Sequence, residues 1–385
     1  MVVKKTDLDG RDFPEQLIAT GYPQHQPGSR SATNTTRLRA QIGALVEACG
    51  GDPRTEQGRL TAQIVSTALQ SLNDQTGIGE RKLMARALKE VRHAFQVFSA
   101  YPDTRKVSIF GSARTAPNHP DYAAAIEFSQ QLSDLGWMAI TGAGNGIMKA
   151  GHEGPSSARS FGLAIRLPFE ASANDIISGD AKLMNFNYFF TRKLLFLSQS
   201  HAIAVFPGGL GTQDELLETL TLMQTGKTPI TPVVLVAGTG SGYWISWRNF
   251  MERELVSRGL MDLTDLDLVY VAKSPTDAAR HVRRFYANYH SQRSVDDEFI
   301  LRMKNPLHPH DIREINEEFS FLVSRGRIRQ SGALPAEDEF LELPRLRFHH
   351  SKRNYSAIRR LIDRINEPHL SAVGDCSRLT VTSAD

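Results

Sequence analysis

Cysteine is almost absent from this chain of 385 residues: only Cys49 and Cys376 occur, far apart in sequence. Two cysteines can supply neither a disulfide framework nor a four-cysteine zinc site, and their scarcity points to a reducing compartment. Long apolar runs are missing too. The best of them, such as Ile230–Ala237, are the size of a strand and too short to span a bilayer. Residues 1–10 carry no signal-peptide core, so the expected location is the cytoplasm, with no membrane partner. Nor does one sign of charge dominate. With 45 Lys and Arg against 42 Asp and Glu the formal net charge is +3, too little at this length to point to nucleic acid by itself. What remains, 41% hydrophobic and 23% charged residues, is the balance of a globular protein with a sizeable core. The length suggests about two or three structural units.

Residues 1–35 are polar and rich in Pro, Gly, Ser, Thr and Asn, the composition of a flexible arm. Residues 36–104 read as a helical N-terminal region, with Leu38, Ile42, Leu45 and Val46 at helical spacing and a break at Gly50-Gly51-Asp52-Pro53. From Arg105 to about 290 short apolar runs alternate with helical patterns. The strand candidates are Val107–Phe110, Trp137–Ile140, Ser160–Leu167, Ala202–Phe206, Ile230–Ala237 and Leu268–Val271. The helix candidates include Tyr122–Leu135, Trp244–Ser257 and Pro275–Tyr289. This alternation predicts an α/β fold: a Rossmann-like parallel sheet with helices on both faces. In residues 291–385 the alternation weakens to a small α/β appendage. Its pieces are a helix over Asp311–Ser324, strands over Arg325–Gln330 and Leu343–His350, a helix over Tyr355–Asn366, and a loose tail from Pro368.

In such a sheet ligands bind at the carboxyl ends of the strands. Three glycine turns follow strand candidates there: Gly111-Ser112-Ala113-Arg114, Thr141-Gly142-Ala143-Gly144-Asn145-Gly146, and Pro207-Gly208-Gly209-Leu210-Gly211-Thr212, which opens a helix. Glycine lets a ligand approach the backbone amides, and a helix N-terminus adds unpaired N–H groups that suit a phosphate. One such turn is commonplace in strand-to-helix connections, whereas three within about 100 residues favour a phosphorylated ligand. Two familiar phosphate fingerprints are lacking. Gly142-Ala-Gly144-Asn-Gly146 does not have the dinucleotide spacing, and Arg166-Leu-Pro stands where an acidic residue would be needed. Gly226-Lys227-Thr228 has the end of a P-loop, but its first glycine would fall on Thr221 and it follows a helix.

The third turn leads into Asp214, Glu215 and Glu218. Acidic residues near a helix N-terminus are often dipole partners, the simpler reading for Asp214. Glu215 and Glu218 share a helix face and can instead reach the sugar of a ligand. Upstream, Arg192-Lys193 is either a solvated basic pair or a cation at the site edge.

In their order and spacing, Gly111-Ser-Ala-Arg114, Gly142-Ala-Gly-Asn-Gly-Ile-Met148, Arg192-Lys193 and Pro207-Gly-Gly-Leu-Gly-Thr-Gln-Asp-Glu215 resemble the Lonely Guy family, over roughly residues 105–290. Its members are cytokinin riboside 5′-monophosphate phosphoribohydrolases and bacterial nucleotide 5′-monophosphate nucleosidases. The resemblance implies hydrolysis of a nucleoside 5′-monophosphate to free base and ribose 5-phosphate, and an assembly of at least two copies. It implies Arg192 and Glu215 as the catalytic pair, and Ser112, Gly208, Gly209, Gly211 and Thr212 as the phosphate site. Gly111, Arg114, Gly144, Gly146, Met148, Lys193 and Glu218 are further substrate-binding candidates. Many members have Met-His-x-Arg-Lys where this chain has Tyr188-Phe-Phe-Thr-Arg-Lys193, which leaves Phe189 or Phe190 to stack on a base. A carboxylate such as Glu215 near the anomeric carbon can stabilise an oxocarbenium-like sugar and orient a water, with no cofactor or metal required. Relatives are often labelled lysine decarboxylases, but no Schiff-base lysine constellation is visible.

Two other readings compete. The same turns could hold a nucleotide or a molybdopterin-like cofactor without hydrolysis, as a carrier or sensor, although such a binder does not need both Glu215 and Arg192. The appendage, with Arg345, Arg347, Lys352, Arg353, Arg359, Arg360 and Arg364, could meet nucleic acid. Glu337, Asp338, Glu339 and Glu342 just upstream make a solvated or oligomer-contacting face the better expectation. His308, His310, His349 and His350 read as surface residues without metal-ligand spacing.

Overall fold

The computed structural model describes residues 31–166 and 173–367, with the backbone alone for 31–35. Of the expected arm over residues 1–35, residues 1–30 fall outside the described residues, as do the end of the third strand candidate with Pro168 and the tail from Pro368, whereas residues 31–35 are already helical and begin the first helix. The chain divides into two compact units, one ending at Lys89 and the other beginning at Glu90.

The first unit holds α1 (Ser31–Ala48), α2 (Glu56–Gln70) and the start of α3 (Ile78–Phe98). The Gly50–Pro53 break separates α1 from α2, and Thr55 caps α2 by accepting from the Gly58 N–H.

The second unit is built on seven strands: β1 (Lys106–Phe110), β2 (Met138–Thr141), β3 (Ser160–Ile165), β4 (Leu183–Phe186), β5 (Ala202–Val205), β6 (Val233–Leu235) and β7 (Val269–Val271). All pair in parallel, in the order β4-β3-β2-β1-β5-β6-β7. The connecting helices are α4 (Pro120–Asp134), α5 (Ile147–Glu153), α6 (Phe189–Ser198), α7 (Leu210–Gln224) and α8 (Tyr243–Phe250), which runs on into a π-helical turn over Met251–Val256. α9 (Pro275–Phe285) follows β7 and packs on α4. β1 to β4 build outward in one direction and β5 to β7 in the other. Right-handed crossovers therefore put α4 and α5 on one face and α6 and α7 on the opposite one. β1, β2, β5 and β6 are buried along their whole length, as strands covered on both faces must be. Their side chains join Phe128, Phe161, Phe196 and Phe206 in one core. No helix of the described residues is long and apolar enough to cross a membrane.

The appendage differs from its sequence reading. It is a four-stranded antiparallel sheet, ordered β10-β11-β9-β8, made of β8 (Tyr289–Val295), β9 (Glu298–Met303), β10 (Val323–Ser331) and β11 (Arg345–His350). The hairpin β8–β9 was not expected, because Tyr289-His-Ser-Gln-Arg-Ser-Val295 has no apolar alternation to announce a strand. The helix expected through Ser324 is α10 (Pro309–Glu318); a 3-10 turn over Ser320–Leu322 follows it, and Val323 and Ser324 already belong to β10. The last helix, α11 (Ile358–Ile365), buries Ile358, Leu361, Ile362 and Ile365 at helical spacing. Several of the appendage's basic residues are internal. Arg345 is fully buried with Arg302 around Glu337, and Arg364 pairs with Glu314 at 2.7 Å and Glu367 at 2.7 Å. His350 is not a surface residue in the ordinary sense: it lies among the rings of Phe299, Phe348 and Tyr355, and burial pushes its pKa down to about 4.

Candidate active site

The order in which strands are added reverses between β1 and β5, so the loops leaving these parallel neighbours diverge to opposite faces and open a crevice at their carboxyl ends. A cavity of about 690 Å³ lies there, and all three glycine turns contribute to its wall. Loop β1–α4 supplies Gly111, Ser112, Ala113 and Arg114. Loop β2–α5 supplies Gly142, Ala143 and Gly144, followed by Met148 on α5. Loop β5–α7 and the start of α7 supply Gly209, Leu210, Gly211, Thr212 and Glu215. α6 closes the cavity with Phe189, Arg192 and Phe196.

The turns are locked together before any ligand arrives. The Ser112 N–H donates to Pro207 O (3.2 Å), Ser112 O accepts from the Ile147 N–H (3.0 Å), and Ser112 Oγ accepts from the Arg114 N–H (3.1 Å). A side chain on Gly111 would run into Ile147, at 2.6 Å. Gly146 has φ +60°, and a side chain there would overlap Ser112 O, so this position needs glycine on both counts. Behind the second turn, buried Asn174 donates to Ala143 O (3.0 Å) and Gly144 O (2.8 Å), and buried His152 contacts Thr141 Oγ1 (2.9 Å). Burial lowers the His152 pKa, which favours the neutral ring in that network.

The third turn ends at Gly209, the N-cap of α7, which offers no side-chain cap. The N–H groups of Thr212 and Gln213 bond back to Gly209 O (both 3.1 Å), while those of Leu210 and Gly211 have no partner within the helix. A Cβ on Gly208 would overlap Thr212 Oγ1 and lie 3.0 Å from Ser112 N, so its absence lets the first and third turns close up. Tyr243 donates to Gly208 O (2.6 Å) and steadies the turn from α8. The result is a cradle of backbone donors and two hydroxyls at a helix N-terminus, an arrangement suited to an anion.

One turn along α7 from Thr212, Glu215 lines the same cavity and is 6% exposed. Arg192 Nη2 is 4.0 Å from Oε1 and Lys193 Nζ is 3.8 Å from Oε2, both beyond hydrogen-bond distance. Burial pushes the carboxyl up to about 7, against the pull of Lys193 and Arg192, which lower it. The Arg192 guanidinium lies over the rings of Phe189 (5.1 Å) and Phe196 (5.6 Å). Lys193 is no solvated cation. Its Nζ lies 2.8 Å from Asp214 and 2.6 Å from Glu218. Burial opposes its charge, but these two partners outweigh it and hold the ammonium above its ordinary pKa.

The structure thus brings Gly111, Ser112, Arg114, Gly144, Met148, Arg192, Gly209, Gly211, Thr212 and Glu215 to one cavity. Gly208 and Gly146 shape its turns from behind. Lys193 and Glu218 pair with each other beside it, so Glu218 faces a lysine where a sugar was expected. Of the two phenylalanines, Phe189 lines the cavity, whereas Phe190 stacks on Tyr188 (5.5 Å). Asn174 and His152 had no sequence signal, because neither sits in a motif. Far from this site, His310, Asp311 and Glu314 bring possible metal-ligand atoms within 4.8 Å of one another, but Arg364 already holds Glu314.

Residues 144–282 match a protein family described as "Possible lysine decarboxylase". The match agrees with the resemblance of this core to the Lonely Guy family. No curated protein matches the chain. Among solved structures, the molybdenum cofactor binding protein of the phototrophic bacterium Rippkaea orientalis is similar at 19% identity, with 47% of this chain and 96% of that one covered and a TM-score of 0.35. The molybdenum cofactor carrier protein of Chlamydomonas reinhardtii shows 20% identity over 47% and 97% of the two chains, with a TM-score of 0.34. The DNA processing protein A of Helicobacter pylori shows 14% identity over 47% and 80%, with a TM-score of 0.33.

Proposed function

We propose that the protein is a nucleoside 5′-monophosphate phosphoribohydrolase, which cleaves the N-glycosidic bond with water to give a free base and ribose 5-phosphate. The observation that carries the reading is the buried Glu215 carboxyl, which lines the same cavity as the anion cradle of Ser112, Gly209, Gly211 and Thr212. With the 5′-phosphate in the cradle, the ribose lies between it and Glu215. As the glycosidic bond breaks, the sugar gains positive charge. An ionised Glu215 stabilises that charge and orients the water that attacks the anomeric carbon. Arg192 steadies the departing base, and Phe189 supplies a face on which the base stacks.

Lysine decarboxylation, the activity in the family's description, does not suit these residues. A Schiff-base lysine needs a lowered pKa and access to the substrate. Lys193, the lysine nearest Glu215, is held protonated by Asp214 and Glu218. Among the described residues the cavity wall contains no lysine.

The reading includes a homo-oligomer. Phe190 and Leu194 on α6 and Leu217 on α7 are large apolar side chains with 52%, 38% and 42% exposure, which a second copy could cover. Incubation with a panel of purine and pyrimidine nucleoside monophosphates, followed by chromatography, tests the activity. Release of free base from at least one is expected. Tight nucleotide binding with no base released from any would refute hydrolysis and favour a carrier or sensor of a nucleotide or molybdopterin-like cofactor.

A further inference from the structure

The turn that carries Arg192 is held by a residue outside the matched segment 144–282. Glu90 lies on α3 and is only 9% exposed. Its Oε1 accepts from the Asn187 N–H (2.9 Å) and from Asn187 Nδ2 (2.7 Å), and its Oε2 accepts from Thr191 Oγ1 (2.6 Å). Asn187 lies in the link between β4 and α6, and Thr191, itself 1% exposed, directly precedes Arg192. Among the described residues no cation pairs with Glu90, so three neutral donors hold a buried carboxylate at the first turn of α6. Anchoring α3 to the core does not require it. Ala94 and Phe98 already do so, with the Phe98 ring 4.6 Å from that of Phe161.

We propose that Glu90 is a positioning residue for the reaction described above, an inference that rests on that reading of the site. It fixes the first turn of α6, and through it the Arg192 guanidinium over Phe189 and Phe196 and 4.0 Å from Glu215. Small displacements of such groups cost rate far more than they cost folding. Without the carboxylate, the donors of Asn187 and Thr191 lose their buried acceptor, and the turn shifts to find others.

The test compares Glu90→Ala with Glu90→Gln. Glutamine can keep one oxygen on Asn187 and donate its amide to Thr191 Oγ1, whose own proton already reaches Tyr188 O at 3.0 Å. Below the melting temperature of each variant, Glu90→Ala is expected to lose at least ~10-fold in kcat, with a smaller change in KM, and Glu90→Gln to restore most of it. Hydrogen exchange of amides 188–193 is read on the same samples. It is expected to be at least ~10-fold faster in Glu90→Ala and near wild type in Glu90→Gln. Wild-type kcat in Glu90→Ala, or Glu90→Gln as slow as Glu90→Ala, overturns the positioning role. Unchanged exchange in Glu90→Ala overturns it even if the wild type turns out to be inactive. A wild type that releases no base, with exchange accelerated in Glu90→Ala, counts against the proposed activity alone.

Discussion

Replacing Glu215 with glutamine should make the protein more stable and nearly inactive at the same time. Burial raises the Glu215 carboxyl from its ordinary 4.5 to about 7 in the folded protein. Between these values the folded state binds a proton that the unfolded chain has lost. Stability from this group is therefore fully present below 4.5, falls as pH rises, and is gone above about 7. At ~1.4 kcal/mol per pH unit the gap amounts to about 3 kcal/mol, which the ionised carboxylate costs the native state at pH 8. Glutamine imitates the protonated form and does not titrate. Glu215→Gln should exceed the wild type by about 1 kcal/mol or less at pH 5 and by up to about 3 kcal/mol at pH 8, a rise of several degrees in melting temperature. Turnover should fall by at least ~100-fold, the scale of removing one preorganised charge, with a much smaller loss in binding. Calorimetric melts at pH 5, 6, 7 and 8, paired with single-turnover base release, provide the assay. A stability difference independent of pH would refute the titration of Glu215, and normal turnover would remove Glu215 from catalysis. In the wild type, kcat/KM should rise with pH on a limb centred near 7, since the ionised form does the work.

Lys193→Met should move that limb to higher pH by ~1 unit, because it removes a cation that lowers Glu215 and leaves Asp214 and Glu218, which raise it; a limb that stays in place or moves to lower pH would contradict this. Gly208→Ala should weaken nucleotide binding at least ~10-fold by calorimetry, because its methyl group would occupy the position of Thr212 Oγ1 and part the first turn from the third. Arg192→Ala should damage affinity and turnover together, each by ~10-fold or more, since its contact acts in both ground and transition states.

The central strands could be read from the sequence because they are buried on both faces. Val107–Phe110 and Ala202–Phe206 are continuous in apolar residues, and the strands over them agree to within a residue at each end. The edge strand β4 could not, since Leu183-Met-Asn-Phe186 is short and only half covered. β8 is polar and takes its stability from pairing with β9, a long-range partner that no local pattern encodes. The glycine turns were legible because close backbone approach leaves glycine as its mark. Helical spacing placed Glu215 and Glu218 on one face, but their different neighbours follow from how α6 packs on α7, which spacing does not contain. Glu90 is hidden in Lys89-Glu90-Val91-Arg92, where a lone carboxylate in a charged helix reads as solvated.

The account stands or falls on hydrolysis of a 5′-phosphorylated nucleoside. The most direct measurement is a paired single-turnover assay of adenosine and of its 5′-monophosphate, or of whichever base the panel selects, with base and sugar product both quantified. The monophosphate should yield base and ribose 5-phosphate in equal amounts, and the unphosphorylated nucleoside should be at least ~100-fold slower, because the cradle at α7 has no anion to hold. Equal rates for the two would remove the phosphate site from the mechanism, and base released without ribose 5-phosphate would contradict the reaction itself.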